Sequence, residues 1–236
     1  MRMNNKIQNV LENILERPLC DKCREERKRY KKYDQKKQGF YSNILVGFAS
    51  KPIAKLNPPI DVMVLAESHG GGNYRKWKDL QSSKLSLENA MRFLEEYYRT
   101  KPLKKFHQSC IKKLLNELDQ RKYAWFFTDV VKCFVAKTDG NFKSAIEKCK
   151  EYLHQQISVL DPRVIIALGN VAWRTLGLPL ERKAVECHGK IKLREILGRK
   201  RGIIYSVFPS QSTADKWIEA GEEPPVLKKI EVFLKR

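Results

Sequence analysis

Four short runs of apolar, largely β-branched residues constrain the fold of this chain more than any other feature. They are residues 60–65, 125–131, 164–168 and 203–208. Their continuous apolar character is typical of strands that are buried on both faces. Segments with helical spacing of apolar residues lie between and after them, at 143–160, within 85–119 and at 225–235. Strands that alternate with helices predict right-handed crossovers, and hence a three-layer α/β/α fold with a central four-stranded parallel sheet.

The composition agrees with one folded, strongly basic domain. Of the 236 residues, 42% are hydrophobic, which is enough for a core and excludes a disordered basic tail. Lys and Arg number 47 against 27 Asp and Glu, so the formal net charge is +20 at pH 7. Such an excess suits phosphate neutralisation with release of counterions, and composition alone leaves nucleic acid, a ribosome surface and anionic lipid open as partners.

The strongest local bias lies in residues 24–42, where Lys and Arg alternate with aromatic residues. Two interpretations stand side by side: a solvated basic surface, and a nucleic-acid-binding arm whose aromatic rings stack on bases.

No apolar run approaches the roughly 20 residues that cross a bilayer, and the N-terminus carries charges where a signal peptide has its apolar centre. We therefore expect an intracellular protein, cytoplasmic or at the nucleoid, that acts as a monomer without a membrane partner. In such a protein, cysteines indicate metal or redox chemistry more often than disulfides.

Four of the six cysteines have spacings that suit a shared metal site. Cys20 and Cys23 form CDKC, in which two thiolates reach one metal across a tight turn. Cys133 ends the second predicted strand in TDVVKC, and Cys149 follows on the next predicted helix. A strand end and the following helix can converge with an N-terminal segment that folds over the same edge. Zinc is the alternative metal, although structural zinc usually uses two closely spaced pairs, and ordinary buried thiols are the other alternative.

The motifs CDKC, FFTDVVKC and EKCKEYLHQQISVLDPRVIIALGNVAW, in this order, resemble the iron-sulfur uracil-DNA glycosylases of families 4 and 5. The similarity of order and spacing extends over nearly the whole chain. It implies a 4Fe-4S cluster on Cys20, Cys23, Cys133 and Cys149, with zinc as the alternative, and DNA, single- or double-stranded, as the partner.

The same resemblance implies the domain organisation and the activity. We expect one glycosylase-like domain over residues 1–236, with a cluster-binding and basic segment at 1–45 and a helical insertion at 84–120. The implied reaction is hydrolysis of the N-glycosidic bond of a flipped, damaged or deaminated base, uracil or a related one, in DNA repair. Such chemistry needs an acidic group near the sugar, a group that reads the base edge, a stacking ring and a donor to the leaving base.

The first candidate site follows the first predicted strand, in AESHGGGNYRKW, which resembles the family's GEAPG motif. By this resemblance Glu67 is the candidate catalytic acid. His69 stands where the family has proline, and it is a candidate donor to the leaving base. Tyr74 is a candidate stacking residue. The candidate DNA-binding residues of this segment are Gly70, Gly71, Arg75 and Lys76.

The second candidate site is TDVVKC, where Asp129 stands in place of the family's asparagine. An asparagine amide donates to uracil O4 and accepts from N3–H, whereas an ionised aspartate only accepts. We therefore expect weakened uracil recognition or a different base. The alternative is that Asp129 caps a loop or pairs with a lysine.

The third candidate site is YSVFPSQS, which resembles the family's HPS motif. Phe208 takes the place of the histidine that donates to the leaving base, and a phenyl ring has no donor. Ser210 is a candidate base-binding residue and Gln211 a candidate DNA-binding residue. The leading hypothesis is a DNA-base glycosylase with altered base preference. The alternative is a catalytically weak or inactive nucleic-acid-binding relative on the same iron-sulfur scaffold.

Overall fold

The computed structural model describes residues 2–16, 46–67, 86–100, 106–132, 141–179, 184–208 and 225–235. Its strands are β1 (Phe48–Ala49), β2 (Val62–Ala66), β3 (Trp125–Asp129), β4 (Val164–Leu168), β5 (Ile191–Ile196) and β6 (Arg199–Ser206). Its α-helices are α1 (Arg2–Glu16), α2 (Leu87–Glu95), α3 (Phe106–Gln120), α4 (Asn141–Leu160), α5 (Gly169–Thr175) and α6 (Pro225–Leu234). A π-helical turn at Glu96–Thr100 continues α2, and 3-10 turns lie at Ile53–Lys55 and Ala184–Cys187.

The described strands form one mixed sheet in the order β1-β3-β2-β4-β6-β5. The central four, β3, β2, β4 and β6, are parallel to one another, which confirms the predicted α/β fold and its parallel core. The prediction of a sheet with four strands was wrong, since β1 and β5 add antiparallel edges. Neither edge strand has the continuous apolar run by which the others were found. β1 has two residues, and β5 has the mixed sequence IKLREI.

Helices cover both faces of the sheet. Phe48 of β1 lies opposite Phe127 of β3, and the ring of Tyr98, from the π-helical turn, contacts both, at 5.9 and 4.7 Å between centroids. The π-helical turn that continues α2 therefore lies on this face. Thr128 points to the other face, where its hydroxyl donates to Gln156 of α4, so α4 lies on that side. None of the described helices is long and apolar enough to cross a membrane.

The backbone of Gly47 lies tightly against β3. Its φ is +100°, and a methyl group there would collide with the Phe127 carbonyl oxygen and lie 2.7 Å from the Phe126 ring. We expect Gly47→Ala to lower the free energy of unfolding by about 2 kcal/mol or more, because backbone strain and overpacking add. The matched control is Gly198→Ala, whose φ is +73° but whose methyl group would have no neighbour within 4 Å. Urea unfolding with equal losses for the two variants would contradict this assignment.

Candidate functional site

The carboxyl ends of β3 and β2 bring two predicted site residues together. Ala66 is paired with Asp129, and the pairing continues past the strands, with Val130 N–H donating to the Ala66 carbonyl at 2.8 Å. Val131 N–H then donates to the Glu67 carbonyl at 3.0 Å. Glu67 and Asp129 therefore lie on neighbouring strands at one edge of the sheet. Glu67 is half-buried and Asp129 is 2% exposed.

Lys132, three residues after Asp129, is fully buried. Its ammonium group donates to the hydroxyl of Thr128 and to the backbone carbonyl of Asp129. Burial lowers the pKa of Lys132 to about 7, against the opposing electrostatic effects of Asp129 and Cys149. A lysine therefore does contact the Asp129 main chain. The sequence alone gives no sign of this role, because nothing in the TDVVKC motif indicates that its lysine is buried.

The end of β3 is held by a second buried residue that the sequence did not single out. Gln156 of α4 donates from Nε2 to the Val46 carbonyl at 2.5 Å and accepts the Thr128 hydroxyl at 3.2 Å. Gln156 is fully buried. These hydrogen bonds connect α4, the end of β3 and the chain before β1. They therefore hold the backbone next to Asp129 in place.

Phe208 lies at the same edge of the sheet, two strands from Glu67. It follows β6 and packs against the turn from β4 into α5, where a methyl group on Gly169 would lie 3.3 Å from the Phe208 Cβ. The hydroxyl of Tyr205 donates to Asn170 in the same turn at 2.6 Å. The strand order therefore sets Asp129, Glu67 and Phe208 along one row, with the β4 turn between the last two.

His188 contacts the main chain beside Phe208. Its Nδ1 accepts the backbone N–H of Val207 at 3.2 Å and lies 3.5 Å from the hydroxyl of Ser206. Because Nδ1 accepts, the neutral ring in this arrangement carries its proton on Nε2. The contact depends on the antiparallel pairing of the chain before β5 with β6, which the sequence did not predict. Nothing in the sequence around His188 indicated it.

We expect His188 to position the chain at Phe208. His188→Ala removes the acceptor for the buried Val207 N–H, and we expect it to lower the free energy of unfolding by about 1–3 kcal/mol. His188→Asn retains a carbonyl acceptor and should recover most of that loss. Urea unfolding of the two variants checks this. Equal losses in both would show that His188 serves only the packing.

Cys149 is the predicted cluster ligand that lies within the described residues. Its side chain is buried on α4, and its sulfur accepts the backbone N–H of Lys132 at 3.4 Å. Lys132 directly precedes Cys133 in the sequence. The thiol of Cys149 therefore contacts the residue next to another predicted ligand. Hydrogen bonds to sulfur ligands are among the contacts that tune iron-sulfur clusters. This arrangement fits a cluster between the end of β3 and α4.

The other described thiols behave as core residues. Cys110 and Cys187 are buried, and burial raises the pKa of Cys110 to about 11. Among the described residues no three His, Cys, Asp or Glu side chains converge on one point, and three of the four predicted cluster ligands lie outside those residues.

Eleven predicted site residues lie outside the described part of the chain and remain predictions. They are Cys20, Cys23, His69, Gly70, Gly71, Tyr74, Arg75, Lys76, Cys133, Ser210 and Gln211.

The fold and the row of residues along its edge define an α/β protein with a candidate site at the carboxyl ends of parallel strands, the usual place for such sites. The family model of the uracil DNA glycosylase superfamily matches residues 9–220, and the chain belongs to this superfamily. It is also similar to the type-4 uracil-DNA glycosylase of Pyrobaculum aerophilum, with 37% identity over 89 residues. That match covers 38% of this chain and 45% of the relative, so the chain matches less than half of the relative's length.

Proposed function

We propose that this protein is a DNA-base glycosylase, which hydrolyses the N-glycosidic bond of a base flipped out of DNA. The observation that carries the proposal is the side-by-side position of Glu67 and Asp129 at the carboxyl edge of the sheet in a member of this superfamily. The net charge of +20 supports binding to a polyanion. In this proposal the protein acts on DNA inside the cell, as a monomer.

Glu67 is the residue that we assign to the chemistry. Breaking the bond between base and sugar develops positive charge on the sugar, and a carboxylate close to it lowers the barrier electrostatically or orients the attacking water. Glu67 is half-buried, so it is open to a ligand on one side. Its backbone is held by Val131, which keeps the carboxylate at the end of β2.

Asp129 is the residue that we assign to base recognition. Lys132 donates to its backbone carbonyl, which holds the residue at the end of β3. An ionised carboxylate accepts hydrogen bonds only, and it therefore favours a base edge that presents donors and disfavours uracil O4. We therefore expect the protein to release a base other than uracil, or to release uracil only weakly.

A 4Fe-4S cluster is part of the proposal, with Cys20, Cys23, Cys133 and Cys149 as its ligands. When bound, it would supply a covalent cross-link between the N-terminal segment and the sheet edge, together with a redox-active centre. Lys132 would donate its backbone N–H to the sulfur of Cys149, as it does in the structure. Zinc on the same thiolates is the alternative, and iron and zinc contents distinguish the two.

A panel of oligonucleotides that carry uracil, hypoxanthine, xanthine or a mismatch tests the activity. Each is offered single- and double-stranded, and the free base is detected by chromatography. Release of at least one base supports the proposal. Binding to every oligonucleotide without release would overturn it and leave a non-catalytic DNA-binding protein. That second candidate is favoured by Phe208, which brings no hydrogen-bond donor to the edge.

A further inference from the structure

The edge strand β5 and its turn into β6 carry an unusual density of positive charge. Residues 190–201 contain six Lys or Arg residues and one Glu. β5 pairs only with β6, so its other edge is not covered by a strand of the described sheet. Lys190, Arg194 and Lys200 are exposed. This hairpin was assigned no role from the sequence.

Three of these cations lie in a line. Lys190, Lys192 and Arg194 alternate with Ile191 and Leu193, so their side chains leave the same face of the strand, about 6.7 Å apart. We call these three residues the basic strip. It is roughly 13 Å long, a regular row of positive charges on long, flexible side chains.

The basic strip begins at the edge of the candidate site. The Lys190 carbonyl accepts the backbone N–H of Tyr205 at 2.9 Å, and His188, two residues earlier, contacts Val207 beside Phe208. Since β5 runs antiparallel to β6, the strip leads away from the carboxyl ends of the parallel strands. It follows β5, the last strand of the sheet, towards the amino ends of those strands. A strand of DNA that leaves the candidate site on this side would run along it.

The charge of Arg194 works against the stability of the hairpin. Arg194 lies directly opposite Arg201, and like charges in this position destabilise a strand pair. Arg201 is nearly buried and pairs with Asp161 at 2.8 Å, while Arg199 binds the same carboxylate. Asp161 thus already forms ion pairs with two arginines. Within the described residues, neither Lys190 nor Arg194 forms an ion pair. Asp161 offsets the charge of Arg201 and leaves the charge of Arg194 unbalanced, and a charge that the strand pair does not need points to a function.

We propose that the basic strip binds the phosphate backbone of the DNA that extends from the candidate site. This inference rests on the proposed function, and it adds a contact surface along β5 to the strand ends themselves. The contacts neutralise phosphates and read no sequence, so they lengthen the stretch of DNA that the protein covers without affecting base choice.

The test compares two charge-matched double variants. Lys190→Gln with Arg194→Gln removes two charges from the strip, and Lys228→Gln with Lys229→Gln removes two from exposed positions on α6. Dissociation constants are measured by fluorescence anisotropy over a series of salt concentrations, on a long oligonucleotide and on a short one that covers only the candidate site. For the strip variant on long DNA, the plot of the logarithm of the association constant against log salt should become less steep. Its slope should decrease in magnitude by about 0.9 per lost phosphate contact in duplex DNA, or by about 0.7 in a single strand.

The α6 variant should keep the wild-type slope, and on short DNA both variants should bind like the wild type. Equal slopes for the strip variant and the wild type on long DNA would overturn the proposal. So would a loss that is the same in both double variants, since it would reflect net charge only. Base release by the wild type is measured alongside. Failure of the wild type to bind or process any DNA is the separate result that would remove the proposed function as well.

Discussion

Cys149→Ser is expected to lose the bound iron and the broad visible absorption that the wild-type protein should show when it is purified without oxygen. The sulfur of Cys149 lies at the backbone of Lys132, next to Cys133, and a hydroxyl is a poor substitute for a thiolate ligand of iron. We expect essentially all of the cluster to be lost, because three thiolates leave one iron without its protein ligand. The thermal midpoint should fall with it, since the N-terminal segment is no longer tied to the sheet edge.

The control for Cys149→Ser is Cys110→Ser, which also replaces a buried thiol with a hydroxyl. Cys110 lies on α3 and has no place among the predicted ligands. Its variant should retain the iron and the colour of the wild type. Iron content and the absorption spectrum are the measurements. Full iron in Cys149→Ser would contradict the ligand assignment, and a colourless wild type with stoichiometric zinc would replace the cluster by the alternative metal.

Glu67→Gln is expected to lower the single-turnover rate of base release by about 100-fold or more, while DNA affinity stays the same or increases slightly. The amide has nearly the shape of the carboxylate, so the loss reports the missing negative charge beside the developing cation. Removing a negative charge also weakens the repulsion of phosphates, which is why affinity should not fall. The comparison uses the substrate that the panel identifies, at enzyme concentrations that saturate it.

Glu231→Gln is the matched control, because it removes one half-buried carboxylate from α6, close to Tyr123 and Asp61 at the amino ends of β3 and β2. Its rate should equal that of the wild type. Unchanged turnover in Glu67→Gln would remove Glu67 from the mechanism. A parallel loss of affinity and rate would indicate that Glu67 holds the structure of the edge and takes no part in the chemistry.

The sequence predicted the parts of the fold that depend on local pattern. Continuous apolar runs identified β2, β3, β4 and β6, and the periodicity of residues 143–160 identified α4. β5 was missed because an edge strand is solvated on one side and has no need of an apolar run, and β1 was missed because two residues are too few to form a pattern. α1 was also missed, since charged and polar residues dominate its sequence, RMNNKIQNVLENILE.

The candidate site divides in the same way. Glu67 and Asp129 were found because their motifs resemble those of the family and lie at the ends of predicted strands, and parallel strands end at a common edge. Their adjacency depends on the order of the strands, which local sequence does not encode. Lys132, Gln156 and His188 were missed because each acts through a partner distant in the chain or through burial.

By itself the sequence determined the α/β class, the positive charge, the superfamily motifs and the departures from them at Asp129 and Phe208. Only the tertiary structure decided that a buried lysine lies under Asp129, that a histidine from another segment contacts the chain beside Phe208, and that the cations of β5 form a line from that edge. The reason is physical. Apolar periodicity and motif spacing are local properties of a chain, whereas burial, hydrogen-bond partners and the direction of a charged row exist only once distant strands are paired.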